Sequence, residues 1–208
     1  MAQTRAIRVL DGHAVAVQRF DRVGSARVHA VSARVALRAA GEDFGYPNLA
    51  QLLRRLAPAK LIVTQQEELF KRMVFNVLID NTDDHEKNHA LLRQLDGSYL
   101  LSPAYDVVPS AQGLGQQQMN LGDQGAESSL DNALSQARQF GLDAKKARAI
   151  VQTLCKGVQG WQVHLRKAGV RARDMAQLAQ HIDGPRLRPQ REEFANGRKT
   201  AVPKSWPN

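Results

Sequence analysis

Residues 81–92 read NTDDHEKNHALL, and two kinds of chemistry fit the same letters. His85, Glu86 and His89 spell H-E-x-x-H, in which two imidazoles one helical turn apart hold zinc and the glutamate between them acts as general base. Asp83 followed five positions later by Asn88 spells D-x-x-x-x-N, the spacing of a phosphotransferase catalytic loop. In that second chemistry an aspartate orients an attacking hydroxyl and takes its proton. An asparagine then holds Mg²⁺, and a further aspartate downstream chelates metal that bridges the phosphates. Asp106 comes at the right point in the chain to be that aspartate.

The elements on either side separate the two. Gln65 to about Asp80 predicts a helix: Thr64 and Glu67 fit a capping box, and Leu69, Phe70, Met73, Val74, Val77 and Leu78 recur on one apolar face. After Asn88, HALLRQL and SYLL flank Asp96-Gly97, which predicts a β-hairpin over 90–101. A zinc site needs both histidines on one continuous helix, yet Asn81-Thr82-Asp83-Asp84 favours turns and caps. The run HEKNHALLRQL also lacks a glycine and third histidine, so a zinc protease stands as the minor alternative. Helix, Asp83…Asn88, hairpin and Asp106 follow in the order that phosphoryl transfer requires.

Elsewhere the pattern is coarser. Residues 6–20 contain two β-like runs around Asp11-Gly12. Residues 29–40 read as a short helix, GEDFGYPN as a loop, and Leu49 to Leu56 as a second helix before Pro58. Glycines and glutamines make 111–126 a polar, mobile loop by composition. From Ser129 the chain reads as helical in three runs, LDNALSQARQFGL, AKKARAIVQTLCKGVQGWQVHLRKAG and ARDMAQLAQHI, with Gly141 and Gly169 as stops.

With 208 residues, 43% hydrophobic and 24% charged, the composition is that of an ordinary globular protein. No apolar run is long enough for a membrane span, and MAQTRAIRVL lacks the apolar region of a secretory signal, which points to the cytoplasm. A single cysteine, Cys155, excludes an internal disulfide and reads as a buried small hydrophobe. The formal charge of +9 suits an anionic partner, but six Lys/Arg against two Asp/Glu in 184–208 place +4 of it in a Pro-containing tail. Zinc-finger spacing, RNA-binding aromatic pairs and helix-turn-helix signatures are lacking, so direct nucleic-acid binding is expected to be weak or indirect.

NVLIDNTDDHEKNHALL…YLLSPAYDVVPS resembles the catalytic core of the HipA family, the serine/threonine-kinase toxins of bacterial toxin–antitoxin pairs. That core runs approximately N-x-D-x-H-x-K-N, a hairpin, then L-[ST]-P-x-Y-D. Asn81, Asp83, His85, Lys87, Asn88, Ser102, Pro103, Tyr105 and Asp106 match it. Val15 to Arg22 is similar to the family's V-x-R-F-D-R segment, with Gln18 where a glutamate is expected. The resemblance implies Asp83 as catalytic base, Asn88 and Asp106 as Mg²⁺ ligands, His85 as a structural or substrate-orienting group, and Lys87 as a cation near the transferring phosphate. It implies that ATP is the cofactor with Mg²⁺, with Gln18 and Phe20 offering backbone groups to adenine and Asp21 near the ribose.

The fold implied is α+β: a kinase-like C-terminal lobe, mainly helical, with a short N-terminal β piece and a catalytic hairpin. Residues 1–22 would be the last strands of an N-lobe and the hinge, 23–183 the C-lobe, and 184–208 a disordered basic tail. A kinase also needs a Gly-rich loop and a strand lysine over the phosphates. Neither precedes Arg19, and the first lysine of the chain is Lys60. The expected partners are a protein substrate with Ser or Thr, a DNA-binding antitoxin and a separately encoded N-lobe. The alternative is a non-catalytic remnant that binds a partner such as the antitoxin, or a degenerate gene product.

Overall fold

In the computed structural model, residues 1–110 and 112–197 are described. Their order is β1 (Thr4–Val9), β2 (Gly12–Val17), β3 (Arg22–Val23), β4 (Ala26–Arg27), β5 (Ala30–Ser32), α1 (Ala33–Ala39), α2 (Tyr46–Leu56), α3 (Ile62–Leu78), β6 (Ala90–Arg93) and β7 (Tyr99–Leu101). Then come α4 (Leu130–Ser135), α5 (Ala144–Gln159), α6 (Trp161–Lys167), α7 (Ala172–Ile182) and α8 (Leu187–Ala195). The class is α+β and mainly helical, as the sequence implies.

α3 is the axis of the core. Leu69, Phe70, Met73, Val74, Val77 and Leu78 are buried on it, and α2 and α5 pack against it. The Phe70 ring meets Phe140 edge-on at a centroid distance of 5.3 Å. The expected capping box is not used. A 3-10 turn over Ala59–Leu61 winds straight into the helix at Ile62, and Leu61 makes no side-chain cap. Pro58 (φ −56°) sets that turn, so Glu67 lies one turn inside the helix and pairs with Lys71 and Lys146 at 2.8 and 2.6 Å.

Two segments expected as helix or loop take other forms because of distant partners. The helix foreseen over 29–40 is preceded by β5, whose Ala30, Val31 and Ser32 pair with Leu92, Leu91 and Ala90 of β6. Ser32 then accepts a hydrogen bond from the Val35 N–H and starts α1. α2 begins at Tyr46 with Pro47 in its first turn, earlier than Leu49. The segment 112–126 is held in place: Met119 and Leu121 are fully buried, and Asn132 of α4 donates to the carbonyls of Gly125 and Glu127 while accepting from the Gln124 N–H. Gly122 is needed there, because a Cβ would overlap the Asn132 carbonyl oxygen and the Ser135 hydroxyl.

The hairpin β6–β7 pairs Leu91 with Leu101 and Arg93 with Tyr99, turning at Gly97 (φ +85°) as Asp96-Gly97 predicts. The N-terminal hairpin pairs Thr4 with Val17 through Val9 with Gly12, so its loop is Leu10-Asp11, one residue earlier than the Asp-Gly pair suggests. Both its strands are exposed along nearly their whole length.

At the other end, residues 184–197 are not a disordered tail. α8 buries Leu187, Arg191, Phe194 and Ala195 and packs on α5. The apolar face at 187, 194 and 195 offsets the charge that made the segment look like a solvated tail. Residues 198–208 of the expected tail lie outside the described residues. The long run from Ala144 breaks at Gly160 into α5 and α6, while Gly141 and Gly169 (φ +67° and +83°) end their helical turns as expected. Among the described residues no helix is long and apolar enough to cross a membrane.

Cys155 sits on the buried face of α5 at 0% exposure, and burial pushes its thiol up to about 11. We expect a disulfide reagent at mildly alkaline pH to leave the native thiol unmodified and to react once denaturant is added. Rapid stoichiometric labelling of the native chain would contradict this packing.

Candidate functional site

Asp83, Asn88 and Asp106 line one cleft of about 200 Å³, together with Asn81, Val108, Pro109, Ser110 and Gln112. Three devices bring them together. α3 ends at Leu78, and Asp80 takes a left-handed conformation (φ +56°) that turns the chain into the loop 81–89. The hairpin β6–β7 then returns the chain, with the Ser102 N–H bonded to the Ala90 carbonyl at 2.8 Å. Finally the Tyr105 hydroxyl donates to the Lys87 carbonyl at 2.6 Å, tying the segment before Asp106 to the loop that carries Asn88. Burial, with Asp106 and Asp84 adding to it, raises the Tyr105 phenol, so this donor keeps its proton.

The loop is anchored from below. Asp84 is 2% exposed, and its Oδ2 accepts from the Tyr46 hydroxyl and from His89 Nε2 at 3.0 Å. With Asp84 as an acceptor, neutral His89 carries its proton on Nε2. Asn76 Nδ2 donates to the Tyr46 oxygen at 3.1 Å, and Asn81 Nδ2 donates to Asn76 Oδ1 at 3.2 Å. Burial first, then the neighbouring Asp84 charge, pushes the Tyr46 phenol well above its ordinary value. Glu86 is also buried and pairs with Arg34 at 2.5 Å. Asp83 points the other way, into solvent at the cleft.

This arrangement dissolves the H-E-x-x-H pattern. Residues 85–89 form turns instead of a helix, His89 Nε2 belongs to Asp84, and Glu86 belongs to Arg34. Among the described residues there is no group of three or more His, Cys, Asp or Glu that could hold a metal ion. The oxygen set at the cleft is of a different kind. The Asn88 amide and the Asp106 carboxylate are hard donors on two separate segments, and Asp106 is held at φ +55°, which an aspartate tolerates better than most side chains.

The remaining expected site residues are placed as follows. His85 is half-buried on the same loop, with its Nδ1 shielded and without a hydrogen-bond partner among the described residues, while Lys87 is exposed. Gln18, Phe20 and Asp21 do not line the cleft. The Gln18 N–H donates to the Gln3 carbonyl at 2.8 Å, continuing the β1–β2 ladder. Phe20 packs its ring on Tyr105 at 5.4 Å. Asp21 is chelated by Arg19 and also pairs with Arg22, and the Arg19 hydrogen bonds hold its carboxyl down at about 2.

Sequence reasoning passed over Tyr46, Asn76, Asp80, Asp84 and Ser110, all of which shape the cleft or its floor. Polar residues inside an apolar helix face, such as Asn76, were the one available signal. Replacing Tyr46 with Phe removes the Asp84 donor and an Asn76 acceptor from a buried network. We expect Tyr46→Phe to cost ~1–3 kcal/mol of unfolding free energy in urea. A change within ~0.5 kcal/mol, the range of a surface substitution, would show that the network does not hold the loop.

Comparison with known proteins accords with this geometry. A Sinorhizobium fredii protein bearing the name "Putative kinase Y4dM" is 30% identical over 110 residues, covering 48% of this chain and 24% of that protein. A solved HipA structure from Shewanella oneidensis, from a toxin–antitoxin system in complex with HipB and operator DNA, matches with a TM-score of 0.67 at 18% identity. That match covers 94% of this chain and 52% of the Shewanella chain, so the chain spans about half the length of its structural neighbour and about a quarter of its curated relative. The family model for the HipA-like C-terminal domain matches residues 1–161, and the chain belongs to that family.

Proposed function

We propose that this chain carries the catalytic lobe of a HipA-type serine/threonine protein kinase, with ATP and Mg²⁺ as cofactors. One observation carries the reading: Asp83 and Asn88 of one loop and Asp106 from beyond the hairpin line a single cleft. In this reading Asp83 orients the substrate hydroxyl and takes its proton as the new oxygen–phosphorus bond forms and the bond to ADP breaks. The Asn88 amide and Asp106 carboxylate fit a hard divalent cation and would hold Mg²⁺, which when bound neutralises phosphate charge. His85 would orient the loop, and exposed Lys87 is available to anionic groups at the rim.

Among the described residues no Lys or Arg lines the cleft, while two carboxylates do. A bare polyphosphate would be repelled there, so the site favours nucleotide already carrying its cation. The clamp on the phosphates would come from an N-lobe, in the same or a separately encoded chain. The Shewanella neighbour, solved with HipB and operator DNA, makes an antitoxin the second expected partner.

A second reading, a partner-binding module without catalysis, has its own support. Val15 and Val17 are 72% and 50% exposed on the N-terminal hairpin, and Leu10 at its turn and Val23 of β3 are exposed as well. The two readings differ in titration calorimetry and phosphotransfer. We expect Asp106→Ala to abolish Mg²⁺-dependent ATP binding. Asp83→Asn should retain binding but lose phosphotransfer to a protein acceptor by ~10²–10⁴-fold, as removal of a general base does. If the wild-type chain binds no Mg²⁺·ATP and transfers no phosphate, with or without a supplied N-lobe, the module reading stands.

A further inference from the structure

We infer that Asp80 and Arg186 are positioning residues, a latch through which the start of α8 fixes the floor of the cleft. Asp80 is 1% exposed and left-handed, a backbone state that favours glycine, and its side chain and carbonyl are bonded on every side. Its Oδ1 accepts from Arg186 at 2.6 Å, across 106 positions of chain, and its Oδ2 accepts from the Gly113 N–H at 3.2 Å. Its backbone carbonyl accepts from both the N–H and the hydroxyl of Ser110, at 3.1 and 2.7 Å. Ser110 in turn receives the Thr82 N–H at 3.0 Å. One residue thus grips the catalytic loop from inside and the segment after Asp106 from below.

Arg186 makes the grip tenable. Its second nitrogen donates to the Ser128 carbonyl at 2.6 Å, and His181 of α7 lies 3.6 Å from Asp80 Oδ2. Without the guanidinium, a buried carboxylate would stand close behind a cleft that already holds two. The spacing between Asn88 and Asp106, on separate segments, depends on how Ser110 and Gly113 sit against the loop from Asp80 to Thr82. The latch fixes that contact. This inference rests on the kinase reading for its catalytic consequence, but the latch itself has a readout that does not.

Hydrogen exchange and Mg²⁺·ATP titration on the full chain test it together. In Arg186→Gln, the amides of Thr82, Ser110 and Gly113 should exchange faster while those of α3 keep their protection, and Mg²⁺·ATP affinity should fall about tenfold or more, as for loss of an outer partner of a metal ligand. Arg186→Lys should restore most of the affinity. Asp80→Gly relieves the backbone strain but removes the carboxylate, so it should weaken affinity as Arg186→Gln does; wild-type affinity in Asp80→Gly would overturn the inference. Should Arg186→Gln fail to fold, Asp80→Asn/Arg186→Gln removes both charges. Stability should return in that double variant while affinity stays low, and recovery of both would reduce the pair to charge compensation. If the wild-type chain binds no Mg²⁺·ATP, the kinase reading falls and exchange alone decides: unchanged Ser110 and Gly113 amides in Arg186→Gln overturn the latch.

Discussion

The fold is organised around a carboxylate in an awkward place. Asp84 is buried, and among the described residues it is ion-paired with neither Lys nor Arg; its partners are the Tyr46 hydroxyl and the His89 imidazole. A buried ionised group without such donors costs several kcal/mol, so loop, α2 and α3 must meet in one geometry or the charge is stranded. Asn76 and Asn81 extend the network to the end of α3, leaving few ways for the loop to relax. The adjacent Asp83 is thereby turned outward. Two neighbouring aspartates thus divide the work: one fixes the loop, and its exposed neighbour is free for chemistry.

The second half of the cleft is built by a different logic. Asp106 comes to the same cleft as Asn88 because a short hairpin folds the chain back, with Leu91 opposite Leu101. Side chains from α3 hold that return: Gln65 Oε1 accepts from the Leu101 N–H at 2.7 Å, and Arg72 donates to the Ser102 carbonyl at 2.8 Å. One helix therefore positions both halves, its C-terminal end through Asn76 and its flank through Gln65 and Arg72. This explains why a helix with a strong apolar face also carries buried or half-buried polar residues. They spend stability on alignment.

How much of this could be read from the sequence depended on where each signal resides. The hairpin at Asp96-Gly97, the apolar face of α3 and the stops at Gly141 and Gly169 are local, and they appear where the residues say. β5 was missed because Ala30-Val31-Ser32 is a strand only by virtue of β6, some sixty residues away. The segment 112–126 looked mobile because glycine and glutamine dominate it, yet Met119, Leu121 and the Asn132 side chain pin it from elsewhere. α8 was hidden by its charge, since its burial depends on a face presented by α5. Asp83, Asn88 and Asp106 were legible as a set because motif and order reinforced each other. Tyr46 and Arg186 were not, because nothing local marks a residue whose partner lies dozens of positions away.

In the proposed kinase reading, the electrostatics of the cleft bear on what a phosphoryl-transfer site needs beyond it. Its lining offers two carboxylates, an asparagine pair, a serine and a glutamine, which suits a divalent cation and a hydroxyl acceptor. Stabilising a transferring phosphoryl group also requires fixed positive charge on its far side, since catalysis of this kind is mostly positioning and electrostatics. Arg186 cannot give it, being committed to Asp80 and Ser128, and Arg72 is committed to Glu68 and Ser102. The most available surface near the chain's N-terminal end is the β1–β2 hairpin, with two open strand edges and valines facing water. A sheet continued from that hairpin would cover those valines. In the kinase reading, one neighbouring surface on that hairpin would meet both the burial demand of its valines and the charge demand of the cleft.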